Sequence, residues 1–185
     1  MPLIILDRDG VINEDSDEFI KSADEWHPIP GSLEAIAQLS NAGWRIVVAT
    51  NQSGLSRKLF DVQTLHDIHR KMHHMVKEYG GVIDAIFFCP HGPKDGCDCR
   101  KPKDGLFKQI SQRLQVNLKD VPAVGDSLRD LQAAQAAGAQ PILVRTGKGT
   151  QTLYAAEGLD NVPVYCDLKL AVNALLSGKP LNNLQ

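Results

Sequence analysis

Acidic and hydroxyl side chains directly follow three short apolar runs of this sequence. Asp7 and Asp9 follow the first run, Thr50 the second and Asp126 the third. Carboxylates that share one cleft repel one another unless a cation lies between them, and Mg²⁺ is a hard cation that prefers oxygen ligands. We therefore expect a Mg²⁺ site formed by Asp7, Asp9 and Asp126.

A polar segment after the second run predicts an anion-binding site. Its residues are Thr50, Asn51, Gln52 and Ser53, whose hydroxyl and amide groups suit phosphate oxygens. Taken alone, this segment reads equally well as a capped loop, and Asp-x-Asp-Gly reads as a turn. The two patterns in this order favour a phosphate-binding cleft.

A further acid stands one helical turn beyond Asp126. Asp130 supplies another carboxylate to the same rim. Its neighbour Arg129 allows a second interpretation, a surface ion pair that contributes little to stability.

Four potential zinc ligands lie within eleven residues, at Cys89, His91, Cys97 and Cys99. Three thiolates and one imidazole form a Cys3His ligand set, whereas a disulfide between Cys97 and Cys99 would be strained. The alternative is a loop with free thiols and a solvated histidine. We expect a structural zinc, because no base that could activate a metal-bound water is evident, and we expect it to orient the two cations that follow Cys99.

The apolar runs alternate with longer amphipathic stretches, which predicts an α/β fold with a doubly wound parallel sheet. Strands are predicted at residues 3–6, 45–50, 85–89, 121–125, 141–145 and 162–166, and helices at 32–42, 61–79, 104–116, 127–137, 149–157 and 168–176. In such a sheet, ligands bind beyond the carboxyl ends of the strands. We expect one domain over residues 1–185, no separate cap domain, and a frayed tail after Gly178.

Composition argues against several classes of partner. Twenty Lys and Arg residues stand against 22 Asp and Glu residues, with a pI near 6.3, so the chain lacks the positive field that nucleic acid or an anionic membrane requires. The first residues form neither a signal peptide nor a membrane anchor. We expect a cytoplasmic monomer with a small-molecule substrate.

The remaining histidines and one cysteine have plainer interpretations. His69 and His73 have metal-ligand spacing, but they lie with His66 and His74 beside the apolar stripe of the predicted helix at 61–79. We interpret these histidines as its polar flank. Cys166 lies outside the cysteine-rich loop and is predicted to be a core thiol.

The chain resembles the haloacid dehalogenase-like (HAD-like) phosphatase superfamily, whose four motifs would be residues 6–10, residues 49–51, a basic residue in Arg100-Lys101, and Gly125-Asp126. The resemblance implies that Asp7 attacks phosphorus and that Asp9 protonates the leaving group and then activates water. Thr50 and Lys101 would hold the transferring phosphoryl oxygens, and Asp126 would complete the Mg²⁺ site.

The cysteine-rich loop and the Arg100-Lys101-Pro102 segment narrow this likeness. They resemble the heptose-bisphosphate phosphatases of lipopolysaccharide-core synthesis, with histidinol-phosphate phosphatases as nearest relatives. The implied substrate is D-glycero-D-manno-heptose 1,7-bisphosphate, which would lose its 7-phosphate, and Arg100 would recognise it. A loop after the first motif would contact the sugar through Asp15, Ser16, Asp17 and Glu18.

Overall fold

The computed structural model describes residues 1–155 and 161–178, and its strands form one parallel sheet. The strands are β1 (Leu3–Leu6), β2 (Arg45–Asn51), β3 (Ala85–Cys89), β4 (Pro122–Gly125), β5 (Gln140–Val144) and β6 (Val164–Tyr165). They are ordered β3-β2-β1-β4-β5-β6, and every neighbouring pair is parallel. The predicted doubly wound fold is confirmed, and its winding reverses between β1 and β4, the place where such sheets bind ligands.

Helices connect these strands close to the predicted positions. They are α1 (Ser32–Asn41), α2 (Val62–Glu78), α3 (Gly105–Leu114), α4 (Leu128–Ala136), α5 (Gly149–Ala155) and α6 (Leu168–Leu176). Asp61 caps α2, since its carboxylate accepts a hydrogen bond from the backbone N–H of Thr64 at 2.8 Å. The last two residues of the helix predicted at 149–157, and the tail predicted to fray, lie outside the described residues.

Both faces of the sheet are covered, which explains why its strands read as continuous apolar runs. Ile4 and Leu6 of β1 join one core with side chains of α1, α2 and α6. Leu3 and Ile5 point the opposite way and join a second core with side chains of α3 and α4. Within the described ranges, all strands and helices belong to these layers and none forms a separate cap domain.

The buried face of α2 differs from the prediction at one histidine. His66, His73 and His74 are exposed, as expected for a polar flank. His69 is buried together with the leucine, isoleucine, methionine and valine of the apolar stripe, so the flank interpretation is wrong for this residue. The imidazole ring of His69 is therefore buried in the protein interior.

The prediction of a core thiol at Cys166 is also wrong. Cys166 is exposed, because β6 ends at Tyr165 and the chain leaves the sheet one residue earlier than the apolar pattern suggested.

None of the helices in the described ranges is both long and apolar enough to cross a membrane.

Candidate active site

A cleft opens where the carboxyl ends of β1, β2 and β4 meet. Predicted residues that line it are Asp7, Asp9, Asp15, Ser16, Asp17, Thr50, Asn51, Gln52, Ser53, Arg100, Lys101 and Asp126. Glu18, the last residue of the predicted sugar-contacting loop, does not line it. Three lining cations, Arg57, Arg129 and Lys148, were not assigned to the site from sequence. The fold thus brings nearly all of the predicted catalytic and substrate-binding residues together.

Lys101 lies at the base of the cleft with 3% of its side chain exposed. Its Nζ lies 2.9 Å from Oδ1 of Asp7, 2.6 Å from Oδ1 of Asp130 and 2.8 Å from the carbonyl oxygen of Ala49. Burial acts to lower the pKa of Lys101, but the charges of Asp130 and Asp7 outweigh it and raise the pKa above its usual value. A permanent positive charge therefore stands beside the Asp7 carboxylate.

Asn51 fixes the backbone of Lys101. Its Oδ1 accepts a hydrogen bond from the Lys101 N–H, and its Nδ2 donates to the Lys101 carbonyl, both at 3.1 Å. The predicted substrate-binding amide of Asn51 is thus engaged with the protein. Its role in the structure is to join the end of β2 to the segment that carries Lys101.

Asp7, Asp126 and Asp130 offer carboxylate oxygens that all lie within 4.8 Å of one another. Burial, followed by the charge of Asp130, raises the pKa of Asp7 to about 7 and that of Asp126 to about 8. Oδ1 of Asp7 is buried and accepts no well-directed hydrogen bond from any described residue, although the Lys101 ammonium is close. Hard oxygen donors that resist ionisation in this way fit a divalent cation such as Mg²⁺.

Two glycines leave room for the Asp126 carboxylate. A Cβ at Gly10 or at Gly147 would collide with Oδ2 of Asp126, and both glycines have positive φ, at 82° and 56°. The same oxygen accepts a hydrogen bond from the backbone N–H of Lys148 at 2.8 Å. Segments after β1 and β5 thus hold the carboxylate that β4 delivers.

Asp130 is a buried member of the site, so its interpretation as half of a surface pair with Arg129 is wrong. Its Oδ1 pairs with Lys101, and its Oδ2 accepts hydrogen bonds from the N–H and hydroxyl of Ser127 at 2.9 and 2.6 Å. Burial acts to raise the pKa of Asp130, but Lys101 and Ser127 lower it overall. Both carboxylate oxygens already have protein partners, which suits Asp130 to holding Lys101 in place.

Asp9 lies outside the carboxylate cluster. Its oxygens accept hydrogen bonds from Asn13 Nδ2 at 2.9 Å and Gln52 Nε2 at 3.0 Å, and both oxygens lie 3.0 Å from Nη2 of Arg8. Burial acts to raise the pKa of Asp9, but the Arg8 charge and these hydrogen bonds lower it. The predicted Mg²⁺ contact of the Asp9 side chain therefore has no counterpart in this arrangement, although the carboxylate does line the cleft.

Thr50 lines the same cleft as Asp7, and Gln52 orients its hydroxyl. Thr50 Oγ1 accepts a hydrogen bond from Gln52 Nε2 at 2.9 Å. Its own hydrogen can then be donated to a phosphoryl oxygen in the cleft.

The loop after β1 is held at the mouth of the cleft. Nζ of Lys148 lies 3.4 Å from Oδ2 of Asp15 and 3.3 Å from Oδ1 of Asp17. The guanidinium of Arg57 lies 5.3 Å from the ring centroid of Phe19, a cation–π distance. These contacts are partly exposed and of modest strength, so the loop can adjust to a ligand.

The four predicted zinc ligands converge beside the cleft. Sγ of Cys89 lies 3.1 Å from Sγ of Cys99, 3.7 Å from Sγ of Cys97 and 3.6 Å from Nδ1 of His91. All three thiols are free, and the four side chains could share one metal ion. Zinc bonds to sulfur are about 2.3 Å long, so the ligand atoms of a tetrahedral zinc lie about as far from one another as these four side-chain atoms do. A hydrogen bond of 3.2 Å from Arg100 Nη1 to the His91 carbonyl links this cluster to the cleft.

Known proteins share this sequence over nearly its whole length. A model of the HAD-hydrolase-like family matches residues 98–169. A D-glycero-beta-D-manno-heptose-1,7-bisphosphate 7-phosphatase of Bordetella bronchiseptica is 60% identical over 172 residues, which cover 93% of this chain and 96% of that protein. The chain belongs to the heptose-1,7-bisphosphate 7-phosphatase family. The family member of Pseudomonas aeruginosa is 52% identical over 94% of this chain and 97% of its own length.

Solved structures of the heptose-1,7-bisphosphate 7-phosphatase family agree with this assignment. The crystal structure of the B. bronchiseptica enzyme complexed with magnesium and phosphate has a TM-score of 0.95 and 57% identity, covering 97% of this chain and 100% of that chain. The enzyme of Burkholderia thailandensis has a TM-score of 0.77 and 47% identity, covering 96% and 99%. The resemblance inferred from the motifs is confirmed, and the chain is a phosphatase of the HAD-like type.

Proposed function

We propose that the enzyme removes the 7-phosphate of D-glycero-β-D-manno-heptose 1,7-bisphosphate through an aspartyl-phosphate intermediate on Asp7. The observation that carries this proposal is the buried pair of Asp7 and Lys101 beside Asp126, at the point where the winding of the sheet reverses. Relatives that are 60% and 52% identical are D-glycero-beta-D-manno-heptose-1,7-bisphosphate 7-phosphatases, which supports this substrate and its β anomer.

In the first step, a carboxylate oxygen of Asp7 forms a bond to phosphorus while the bond from phosphorus to the sugar oxygen breaks. Asp9 must carry a proton when the substrate is bound, although the pKa of its carboxyl is lowered in the free enzyme, and it gives that proton to the leaving oxygen. The Lys101 ammonium and the Thr50 hydroxyl bind the transferring oxygens and offset their charge. The short distance between Lys101 and Asp7 supports this assignment.

In the second step, water attacks phosphorus and the bond to Asp7 breaks. Asp9, now ionised, takes the proton from the attacking water. Inorganic phosphate leaves and Asp7 is regenerated as a carboxylate. The hydrogen bonds that lower the pKa of Asp9 stabilise the ionised carboxylate that Asp9 has between the two steps.

We assign the Mg²⁺ site to the carboxylates of Asp7 and Asp126. The buried Oδ1 of Asp7 and the raised pKa values of both residues support this assignment, and the B. bronchiseptica structure contains magnesium and phosphate. When bound, the ion neutralises carboxylate and phosphoryl charge. The Asp9 side chain does not belong to this ligand set, because its oxygens are engaged by Arg8, Asn13 and Gln52.

We assign a structural zinc to Cys89, His91, Cys97 and Cys99. Their mutual distances support one shared ion, and the loop that carries them has little apolar core of its own. Zinc in this loop would fix the backbone of His91 and, through it, Arg100, which we assign to substrate recognition.

The wider setting also belongs to the proposal. We propose a single domain over residues 1–185, a monomer in the cytoplasm, and a place in lipopolysaccharide-core heptose synthesis. Ser16, Asp15 and Asp17 line the cleft and are assigned to sugar contacts.

Phosphate release tests the substrate assignment. Purified enzyme with Mg²⁺ is assayed on both anomers of the heptose bisphosphate and on histidinol phosphate, and ³¹P NMR identifies which phosphate remains on the sugar. We expect the β anomer to give the highest kcat/KM and a heptose 1-phosphate product. More efficient hydrolysis of histidinol phosphate, or loss of the 1-phosphate, would contradict the proposal.

A further inference from the structure

A buried arginine and a buried histidine lie next to Asp9. Arg8 has no exposed surface and His69 is 7% exposed. Neither residue lines the cleft, so neither contacts a substrate held there. The mechanism described above uses Asp9 but gives no task to these two side chains.

The Arg8 guanidinium is bound on two sides. Towards Asp9, Nη2 lies 3.0 Å from both carboxylate oxygens, and Nε lies 3.2 Å from Oδ1. On the same side, Nη2 also donates to Oε1 of Gln52 at 3.2 Å. Away from Asp9, Nη1 lies 3.2 Å from Nε2 of His69. All three nitrogens therefore have a partner. Because the guanidinium is rigid and planar, the position of His69 on one side affects the position of Asp9 on the other.

The chemistry of the contact fixes the state of His69. Arginine has donors only, so Nε2 of His69 must accept the hydrogen bond from Arg8. His69 is then neutral, with its proton on Nδ1. Burial, together with the Arg8 charge, lowers the pKa of His69 to about 3, which agrees with a neutral ring. The ring also packs edge-on against Phe88, with centroids 6.3 Å apart, and this restricts its rotation.

We propose that His69, acting through Arg8, is a positioning residue for the proton transfers of Asp9. The inference rests on the proposed function, in which Asp9 protonates the sugar oxygen as the bond from that oxygen to phosphorus breaks. Helix α2 thereby sets the position of the acid at the end of β1. Loss of the His69 acceptor frees one side of the guanidinium and lets Asp9 shift.

The leaving group distinguishes positioning from general support of the fold. A sugar alkoxide is a poor leaving group and needs the Asp9 proton, whereas p-nitrophenolate leaves without one. The quantity kcat/KM reports steps up to the first irreversible one, here the departure of the leaving group. A displaced Asp9 therefore lowers kcat/KM for the heptose bisphosphate more than for p-nitrophenyl phosphate. A partly unfolded preparation lowers both in the same proportion.

The experiment compares this ratio of kcat/KM values in wild type, His69→Leu, His69→Gln and His73→Leu. We expect His69→Leu to lower the ratio about tenfold or more, with KM for the bisphosphate nearly unchanged. His69→Gln retains an acceptor and should restore most of the ratio. His73 is exposed on the same helix, and its substitution should leave the ratio unchanged.

An unchanged ratio in His69→Leu would overturn the inference, whether the two activities fall together or stay at the wild-type level. If that variant does not fold, Arg8→Lys is assayed in its place, because one ammonium cannot contact both Asp9 and His69; the same drop is expected, and an unchanged ratio again refutes the idea. Asp9→Asn removes the proton donor itself, so the decrease of the ratio in this variant is the largest that displacement of Asp9 could cause. If wild type released no phosphate from the bisphosphate, the proposed substrate would be wrong, and glycerol phosphate would replace it in the ratio.

Discussion

Four aspartates in this site differ in ionisation because they have different partners. Asp7 is largely buried and Asp126 is buried near other carboxylates, and their pKa values are raised to about 7 and about 8. Asp9 is half-buried beside Arg8 and Asp130 is buried beside Lys101, and their pKa values are lowered. Lys101 also contacts Asp7 but does not offset burial and the charge of Asp130, so the first pair needs a further cation to ionise fully, whereas Arg8 and Lys101 suffice for the second pair.

The role of Asp7 is tested by the isosteric substitution Asp7→Asn. The amide cannot form the aspartyl-phosphate, so we expect kcat to fall by at least about a thousandfold while the fold is retained. Phosphate release, circular dichroism and zinc content measure these properties. Asp24→Asn, the same change at an exposed aspartate, is the control and should retain wild-type activity. Substantial turnover by Asp7→Asn would remove the nucleophile from this position.

At the residue scale, the sequence predicts which groups follow a strand but not which groups face one another. Asp7, Thr50 and Asp126 could be found because they directly follow apolar runs. Lys148 lies four residues beyond the end of β5, too far along the chain for this rule to find it. Asp130 was open to two interpretations because its partner, Lys101, lies 29 positions earlier in the chain.

At the scale of elements, helix α2 packs on one face of the sheet and the cysteine-rich loop follows the edge strand β3. The spacing of apolar residues in α2 predicts which face of the helix points inward. His69 also lies on that face, but its polar side chain favours a position on the flank in any prediction from sequence. The pattern could not reveal that Arg8 supplies a buried hydrogen-bond partner. The loop was easier to interpret, because four metal ligands so close together rarely have another explanation.

Removal of zinc should destabilise the protein more than removal of Mg²⁺. The loop has little core of its own, so we expect zinc chelation to lower Tm by roughly 10 °C, with a smaller change when only Mg²⁺ is omitted. Differential scanning fluorimetry with a zinc-selective chelator, and separately without Mg²⁺, gives both values.

Two cysteine variants provide the matched comparison for zinc. Cys97→Ser removes a proposed ligand and should reproduce the loss of Tm in untreated protein. Cys166→Ser changes the exposed thiol outside the cluster and should leave Tm within about 1 °C of wild type. A larger effect of Mg²⁺ omission than of zinc chelation would contradict the structural role.

At the scale of the whole molecule, the site exists because separate chain segments end at one edge of the sheet. β1, β2 and β4 deliver Asp7, Thr50 and Asp126, and the segment after β3 brings Lys101 back to them. Winding in both directions from β1 opens the cleft between neighbouring strands. Stability and Mg²⁺ binding are therefore coupled through the same buried carboxylates.

This coupling predicts a pH-dependent effect of Mg²⁺ on stability. The folded-state pKa values of Asp7 and Asp126, about 7 and about 8, lie above the unfolded value of 3.8. Between these values the folded protein binds more protons than the unfolded chain, so these two groups make the metal-free protein less stable as pH rises towards about 8. Mg²⁺ binds the ionised carboxylates and opposes this loss, so its stabilising effect should grow with pH.

Thermal unfolding with and without Mg²⁺ at about pH 5.5 and about pH 8.5 measures this effect, and we expect the Tm increase from Mg²⁺ to be several degrees larger at the higher pH. Taking the difference at each pH removes the contribution of the zinc loop. The lowered pKa values of Asp9 and Asp130 place their own titration below this range. Asp126→Asn eliminates one of the two titrating ligands, so the pH dependence of the Mg²⁺ effect should shrink. An increase in Tm that is equal at both pH values, or greater at the lower one, would mean that Mg²⁺ does not bind these carboxylates.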